Sequence, residues 1–234
     1  MSIVEKALNH SKKIGIDECE IVLVKKKITT VRITDSEIAE IKQNFDESYG
    51  IRIIHQKKIA SSQSTDKQNV NKNIENIFDT ISNLKPREFW EELPYKARLK
   101  KLDGTFDEKL KNISGSNAMD IAQNMINSTI NDKVSTITGS LNIVSEDFQL
   151  SNSKGLELAD ESTYITGIIN AESEFGNTPV SGIGHASGRT LLNFSPEQIG
   201  KDAKNMCVKA INPQKIDSGK YSIIFEPYSV GELL

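Results

Sequence analysis

Ile3, Val4, Ala7, Leu8, Ser11 and Ile14 fall at helical spacing, and Gly15 stands where a left-handed residue closes a helix. A first helix is predicted there. The period then changes to two: Ile21-Val22-Leu23-Val24 reads as a buried strand, and Ile28 to Thr34 as a second, with Val31 and Ile33 alternating against Thr30 and Arg32. Lys25-Lys26-Lys27, between them, reads as a solvated basic turn of the kind that discourages strand aggregation. Asp35-Ser36-Glu37 supplies turn residues. Ile38 to Asn44 alternates again, and Tyr49 to His55 with Ile59 to Gln63 reads as a hairpin. This block is a meander of about five strands, near the usual sheet size. Thr65 or Asp66 is placed to cap a second helix with the stripe Val70, Ile74, Ile77, Phe78, Ile81 and Leu84, ending before Pro86. Such a stripe must lie on an apolar surface, and the sheet is the nearest.

Lys85 to Thr105 breaks every period and carries Pro86, Pro94, Phe89, Trp90 and Tyr95. It reads as a long strap packed across the first layer, since large rings are buried on average. Ala118, Ala122, Met125, Ile126 and Thr129 mark a third helix, with Ser114 or Ser116 as cap. A second β-rich block follows. Val134 to Ser145 alternates, Phe148 to Asn152 and Leu156 to Leu158 flank the turn Ser153-Lys154-Gly155, and Thr163 to Glu172 is β-branched. Gly176, Gly182, Gly184 and Gly188 read as a glycine-rich loop. Ser195-Pro196-Glu197-Gln198 has the capping-box form and opens a fourth helix, with Ile199, Ala203, Met206, Cys207 and Ala210 inward and Asn212-Pro213 as its stop. Tyr221 to Phe225 then reads as a buried strand, and Pro227 to Leu234 as the start of a helix without a stop signal.

The expected fold class is α+β, with two β-sheet blocks and helices packed on them. The divisions run 1–85 for helix, meander and helix, 86–115 for a connector, 116–217 for the second block, and 218–234 for a strand-to-helix junction leading into a missing C-terminal domain.

Composition narrows the chemistry. At 234 residues, 37% hydrophobic and 26% charged, the chain has ordinary globular character, and its net charge of -3 supplies no field for nucleic acid. Neither a signal-peptide pattern nor a membrane-spanning run is present, so the expectation is a cytoplasmic protein without membrane or nucleic-acid partners. Cys19 and Cys207 sit in apolar patterns outside any C-x-x-C and read as buried free thiols. His10, His55 and His185 show no metal-ligand spacing, and no P-loop, dinucleotide fingerprint or nucleophile elbow occurs. No residue is assigned a catalytic, cofactor-binding or metal role. His10 and His55 read as structural. His185, within Gly182-Ile183-Gly184-His185-Ala186-Ser187-Gly188, is the best candidate of the three, because glycines let a backbone approach a ligand. Asn152 and Gly155, on the tight turn, join His185 as candidate peptide-facing residues.

Several segments carry a family resemblance. Lys12-Lys13-Ile14-Gly15-Ile16-Asp17, Glu20-Ile21-Val22-Leu23-Val24 and Ser48-Tyr49-Gly50-Ile51-Arg52-Ile53-Ile54 resemble the opening of the TldD/PmbA family. Ser151-Asn152-Ser153-Lys154-Gly155-Leu156 is similar to its Ser-Asn-Ser/Asp-Gly turn, and Ser195-Pro196-Glu197-Gln198-Ile199-Gly200 to its Pro-Glu-x-Ile-Gly helix start. Ser218-Gly219-Lys220-Tyr221-Ser222-Ile223-Ile224-Phe225-Glu226-Pro227, with Gly231-Glu232-Leu233-Leu234, resembles its Gly-Lys-x-x-Val-Ile-x-x-Pro junction.

The resemblance implies the N-terminal part of a zinc-dependent metallopeptidase complex acting on unfolded peptides or small proteins. The family's TldD type carries a His-Glu-x-x-x-His zinc motif after the Leu-Leu junction, so zinc is expected in the full TldD-type protein or its partner and no cofactor in these residues. The implied partners are a peptide substrate and a homo- or heterodimer mate from the same family. The alternative is a zinc-free PmbA/TldE-type partner subunit, a binding module that completes the protease chamber without catalysing; Phe225-Glu226-Pro227 is slightly closer to that type. The catalytic type could accept extended peptides by adding a strand to a sheet edge, whereas in the partner type the sheets shape a peptide chamber or a dimer interface.

Overall fold

A computed structural model describes residues 2–97, 100 and 102–233. Arg98, Leu99 and Lys101 of the strap, and Leu234 at the junction, lie outside the described residues. Six antiparallel strands form one sheet in the order β3-β2-β1-β4-β5-β6: β1 Glu18–Thr34, β2 Glu37–His55, β3 Lys58–Ser64, β4 Thr136–Asn152, β5 Glu157–Ser173 and β6 Val180–Gly188. The helices are α1 Ile3–Lys13, α2 Val70–Ile81, the single turn α3 Glu108–Lys111, α4 Gly115–Thr129, α5 Pro196–Ala210 and α6 Pro227–Leu233. The fold is α+β. The two strand blocks read from the sequence are both present, and pairing of β1 with β4 from Glu20↔Asn152 to Ile33↔Gly139 joins them into one sheet.

Local chemistry explains the helix starts. Ser2 accepts from the Glu5 N–H while Glu5 accepts from the Ser2 N–H, a reciprocal capping box at α1. Ser114 caps α4 and Ser195 caps α5, with Pro196 at the first helical position. Gly15 takes φ +87° after α1, as its placement predicts. Asp66 caps a short 3₁₀ turn, Lys67–Asn69, that leads into α2.

The strand readings change in three places. Lys25-Lys26-Lys27 is not a turn but the middle of the 17-residue β1, and residues 44–48 likewise continue β2. Charge pairing holds them extended: Lys25 lies between Glu47 and Asp147, Lys26 between Asp46 and Glu146, and Lys27 between Phe45 and Ser145. The true reversal is at Asp35-Ser36, with φ of +52° and +65°, the two-residue loop that suits a twisted hairpin.

Second, the glycine-rich segment is strand β6 rather than a loop. A Cβ on Gly184 would stand 1.9 Å from the Ile199 carbonyl oxygen, and one on Gly182 2.1 Å from the Cys207 nitrogen. These glycines let the α5 backbone lie directly on β6. Third, the segment 221–225 takes no strand conformation, and Ile224 is 98% exposed. Apolar β-branched residues form a strand only where an edge accepts them; here the segment runs free before α6.

The core lies on one sheet face in two clusters. Cys19, Ile21 and Leu23 of β1 pack with Tyr49, Ile51 and Ile53 of β2 under α1 and α2. Val31 and Ile33, on the same face by alternation, pack with Leu141, Ile143, Ile165 and Ile169 under α4 and α5. Lys25 and Lys27 occupy that face between the clusters, forming a charged waist.

Candidate functional site

The strap crosses one end of the sheet and is latched there by a buried carboxylate. Glu18 accepts from Trp90 Nε1 at 3.0 Å and from the Leu93 N–H at 3.2 Å, and Lys154 Nζ lies 3.3 Å from its Oε1. Leu93 is fully buried, while Phe89 and Tyr95 stay exposed, so only part of the aromatic strap packs as its composition predicts. Lys154 also lies 3.1 Å from Glu92, which accepts from the Tyr95 hydroxyl at 2.6 Å. Glu92 holds the Lys154 amine above its ordinary range, and the Tyr95 hydroxyl and then Lys154 hold Glu92 below its ordinary range. Nearby, Arg52 donates to Glu20 at 2.6 Å and sits 5.7 Å over the Trp90 ring.

Asn152 completes the latch. Its Nδ2 donates to the Pro94 carbonyl at 2.8 Å, and its Oδ1 accepts from the Lys154 and Leu156 N–H groups at 2.9 and 3.1 Å. The side chain is buried and fully engaged, so it shapes the turn and holds the strap. Gly155 takes φ +82°, the conformation that the reversal between β4 and β5 requires, with open space where a Cβ would stand. His185 is elsewhere. It pairs with Ile168 on edge strand β6, and its ring lies 4.6 Å from Tyr228 of α6. Since Ile168 pairs with Ser140, twelve residues along β4 from Asn152, His185 is about 40 Å from the turn at the usual strand rise. The structure thus brings Asn152 and Gly155 together and leaves His185 apart.

Beside this turn, between the strap and the first half of β5, lies a cleft of about 800 Å³. Leu23, Ala159, Ala97 and Leu102 give it apolar surface, and Lys25, Lys100, Asp147 and Glu161 add charges of both signs, while Phe148, Leu158 and Asp160, also at its lining, belong to the opposite sheet face by register. These residues come from three strands and the strap. Sequence reading missed them because only strand register assembles the set.

Toward the waist, Lys27 donates to the Lys111 carbonyl at 3.3 Å, Lys26 pairs with Glu146 at 2.8 Å, and Lys111 pairs with Glu161 at 3.0 Å. Hydrogen bonding to Glu146 and Glu161 raises the Lys26 and Lys111 amines. Glu47 accepts a hydrogen bond from the Tyr49 hydroxyl, which, with Lys25, holds Glu47 below its ordinary range. The waist is thus a lattice of ion pairs rather than a bare cation.

The residues do not fit a zinc site. Among the described residues, no group of three or more His, Cys, Asp or Glu side chains is disposed to hold a metal ion. His10 lies 2.8 Å from Glu75, His55 3.3 Å from Asp17, and His185 against Tyr228. Cys19 and Cys207 are buried free thiols, and burial pushes Cys19 up to about 11, away from the thiolate a metal needs. No described helix is long and apolar enough to cross a membrane.

Comparison with known proteins bears on the fold and the family. No curated protein matches the chain at a significant level. A candidate DNA gyrase modulator from Thermotoga maritima superposes with a TM-score of 0.78 at 18% identity, over 93% of this chain and 50% of that one. A second candidate modulator, from Bacteroides thetaiotaomicron, gives 0.82 at 15% identity, over 94% and 52%. TldE from Thermococcus kodakarensis gives 0.75 at 18% identity, over 87% and 47%. At these identities the likeness shows the fold, and the chain spans about half the length of the solved structures it matches. Residues 19–85, which run from the buried Cys19 of β1 to just past the end of α2, match the family described as PmbA/TldA metallopeptidase domain 1. That stretch thus resembles the first domain of the PmbA/TldD family, and the chain around it shares its fold with TldE and the gyrase-modulator structures.

Proposed function

We propose that the chain is the N-terminal, peptide-shaping part of a zinc-dependent metallopeptidase complex acting on unfolded peptides or small proteins. It works paired with a second chain of the family, identical or paralogous. The observation that carries this reading is the cleft between strap and β4–β5 hairpin, whose apolar walls and flanking charges suit an extended peptide better than a compact polar metabolite. The chain's own residues bind and orient. Leu23 and Ala159 take up apolar side chains, while Lys25 and Asp147, on the same sheet face, meet polar or charged ones. Glu18 and Asn152 hold the strap as the second wall. Zinc, supplied by residues outside this set, would lower the pKa of the attacking water.

The test is zinc content and peptidase activity of the gene's product, alone and mixed with a paralogue from the same source. About one zinc per chain, with activity lost on chelation, places the product on the catalytic side of the family. A zinc-free product that is required for the paralogue's activity makes it the partner subunit. Peptidase activity that is the same with and without this chain overturns the proposal.

A further inference from the structure

We propose that the free edge of β2, residues 40–48, pairs with the same edge of a second copy of this chain, in antiparallel register about a two-fold axis at Asn44. The inference rests on the pairing read above and gives it a surface and a partner.

Strand β2 is longer than its outer neighbour. It pairs with β3 only from Tyr49 to His55, so residues 40–48 have no strand on their outer side among the described residues. At the other end, the register shift opposite Arg32 and Ile33 makes Ala39 the extra residue of a bulge, which interrupts regular pairing. The regular open edge is therefore the nine residues 40–48, about 30 Å of backbone at the usual rise. Residues 40–46 are all exposed, and Phe45 is 73% exposed. An unpaired edge of this length is a template for another strand, and no proline interrupts it.

The sequence of the edge argues for a second copy as the occupant. Asn44 is the midpoint of 40–48, so a two-fold there pairs the whole edge with itself. Lys42 then faces Asp46 of the second copy, twice, and both belong to one sheet face by alternation. Asn44 faces itself. Gln43 faces Phe45, covering the exposed ring, while Ile41 faces Glu47 and Glu40 faces Ser48. No like charges meet anywhere in this register. Because β3 ends at Ser64, beside Tyr49 where the added strand would stop, the partner continues the sheet in line with β3.

Sedimentation equilibrium of the chain and its charge variants is the test. The unaltered chain is expected to dimerise. Lys42→Glu sets a carboxylate against the Asp46 carboxylate of the second copy, and Asp46→Lys sets an amine against the Lys42 amine. Each variant alone is therefore expected to associate about tenfold more weakly, from two repulsive cross-strand pairs. Mixed in equal amounts, the two variants restore opposite charges at every contact and re-form a dimer, which a misfolded variant could not do. Asn44→Cys is expected to give a disulfide-linked dimer under oxidising conditions, because opposed residues at the two-fold come within disulfide reach. A chain that stays monomeric at all concentrations overturns the proposal, as does a dimer indifferent to both charge reversals. A monomer that still associates with a paralogue overturns the second-copy assignment while leaving the pairing reading standing. A monomer that takes up an extended peptide on this edge overturns it too, and assigns the edge to peptide instead.

Discussion

The covered ends of β1 and its charged waist are built on opposite principles. At either end, alternating apolar residues such as Ile21 and Leu23, or Val31 and Ile33, are buried under helices. At the waist, Lys25 and Lys27 occupy positions on the same face and are held by Glu47 and the Lys111 carbonyl. A long strand can therefore change from apolar to ionic packing without a break, provided its neighbours supply the opposite charge. Stability is concentrated at the ends, and the cleft opens beside the waist, where Lys25 and Asp147 enter its lining.

Substitutions at the ends should cost the most. Gly184→Val would drive a side chain into the Ile199 carbonyl and is expected to destabilise by about 3 kcal/mol or fail to fold. Leu141→Ala, in the larger cluster, should lose about 2–5 kcal/mol by denaturant titration. Glu18→Ala should lose about 1–3 kcal/mol, because it leaves the Trp90 and Leu93 N–H groups without their acceptor. Trp90 is the chain's single tryptophan, so its emission reports strap release directly. Gly155→Val should cost about 1–2 kcal/mol through its positive φ. If peptide binding and partner pairing were unchanged in that variant, the turn would have no part in the chamber. The smallest effect belongs to the waist: Lys25→Ala should change stability by no more than about 0.5 kcal/mol, since its pair with Glu47 is largely solvated. A loss comparable to that of Leu141→Ala would erase the contrast between waist and ends.

Acidity separates the latch from the apolar ends. Glu92 sits below its ordinary 4.5, so its contribution is present above that value and is lost as pH falls through the lowered one. Lys154 is raised above its ordinary 10.5, so its contribution is present below that value and is lost only as pH rises through the raised one. The pair is intact through neutrality. Trp90 emission should shift in acid before the far-ultraviolet signal of the sheet collapses.

Local signals account for much of what was legible. Ser114 and Ser195 announced two helix starts, and Ser153-Lys154-Gly155 announced the β4–β5 reversal. Lys25-Lys26-Lys27 misled because solvated turns and mid-strand ion ladders share a composition; the distinguishing acids, Asp46-Glu47 and Glu146-Asp147, are distant in sequence. Gly182 and Gly184 misled because their purpose, room for the α5 backbone, exists only in three dimensions. The site was half legible. Asn152 and Gly155 do sit at the cleft end of the hairpin, but the cleft walls are brought together by strand register, which no local pattern encodes.

The most direct measurement is the affinity of a fluorescently labelled unfolded peptide for the chain, by polarisation, compared with Ala159→Lys. Ala159 is an exposed residue of the cleft on the sheet face of Leu23, so the charge should leave the fold intact while disrupting the apolar side. The account predicts saturable binding that weakens about tenfold or more in the variant, the scale of one lost apolar contact. Equal affinity in the two proteins, both folded by circular dichroism, would contradict the assignment of the cleft to peptide.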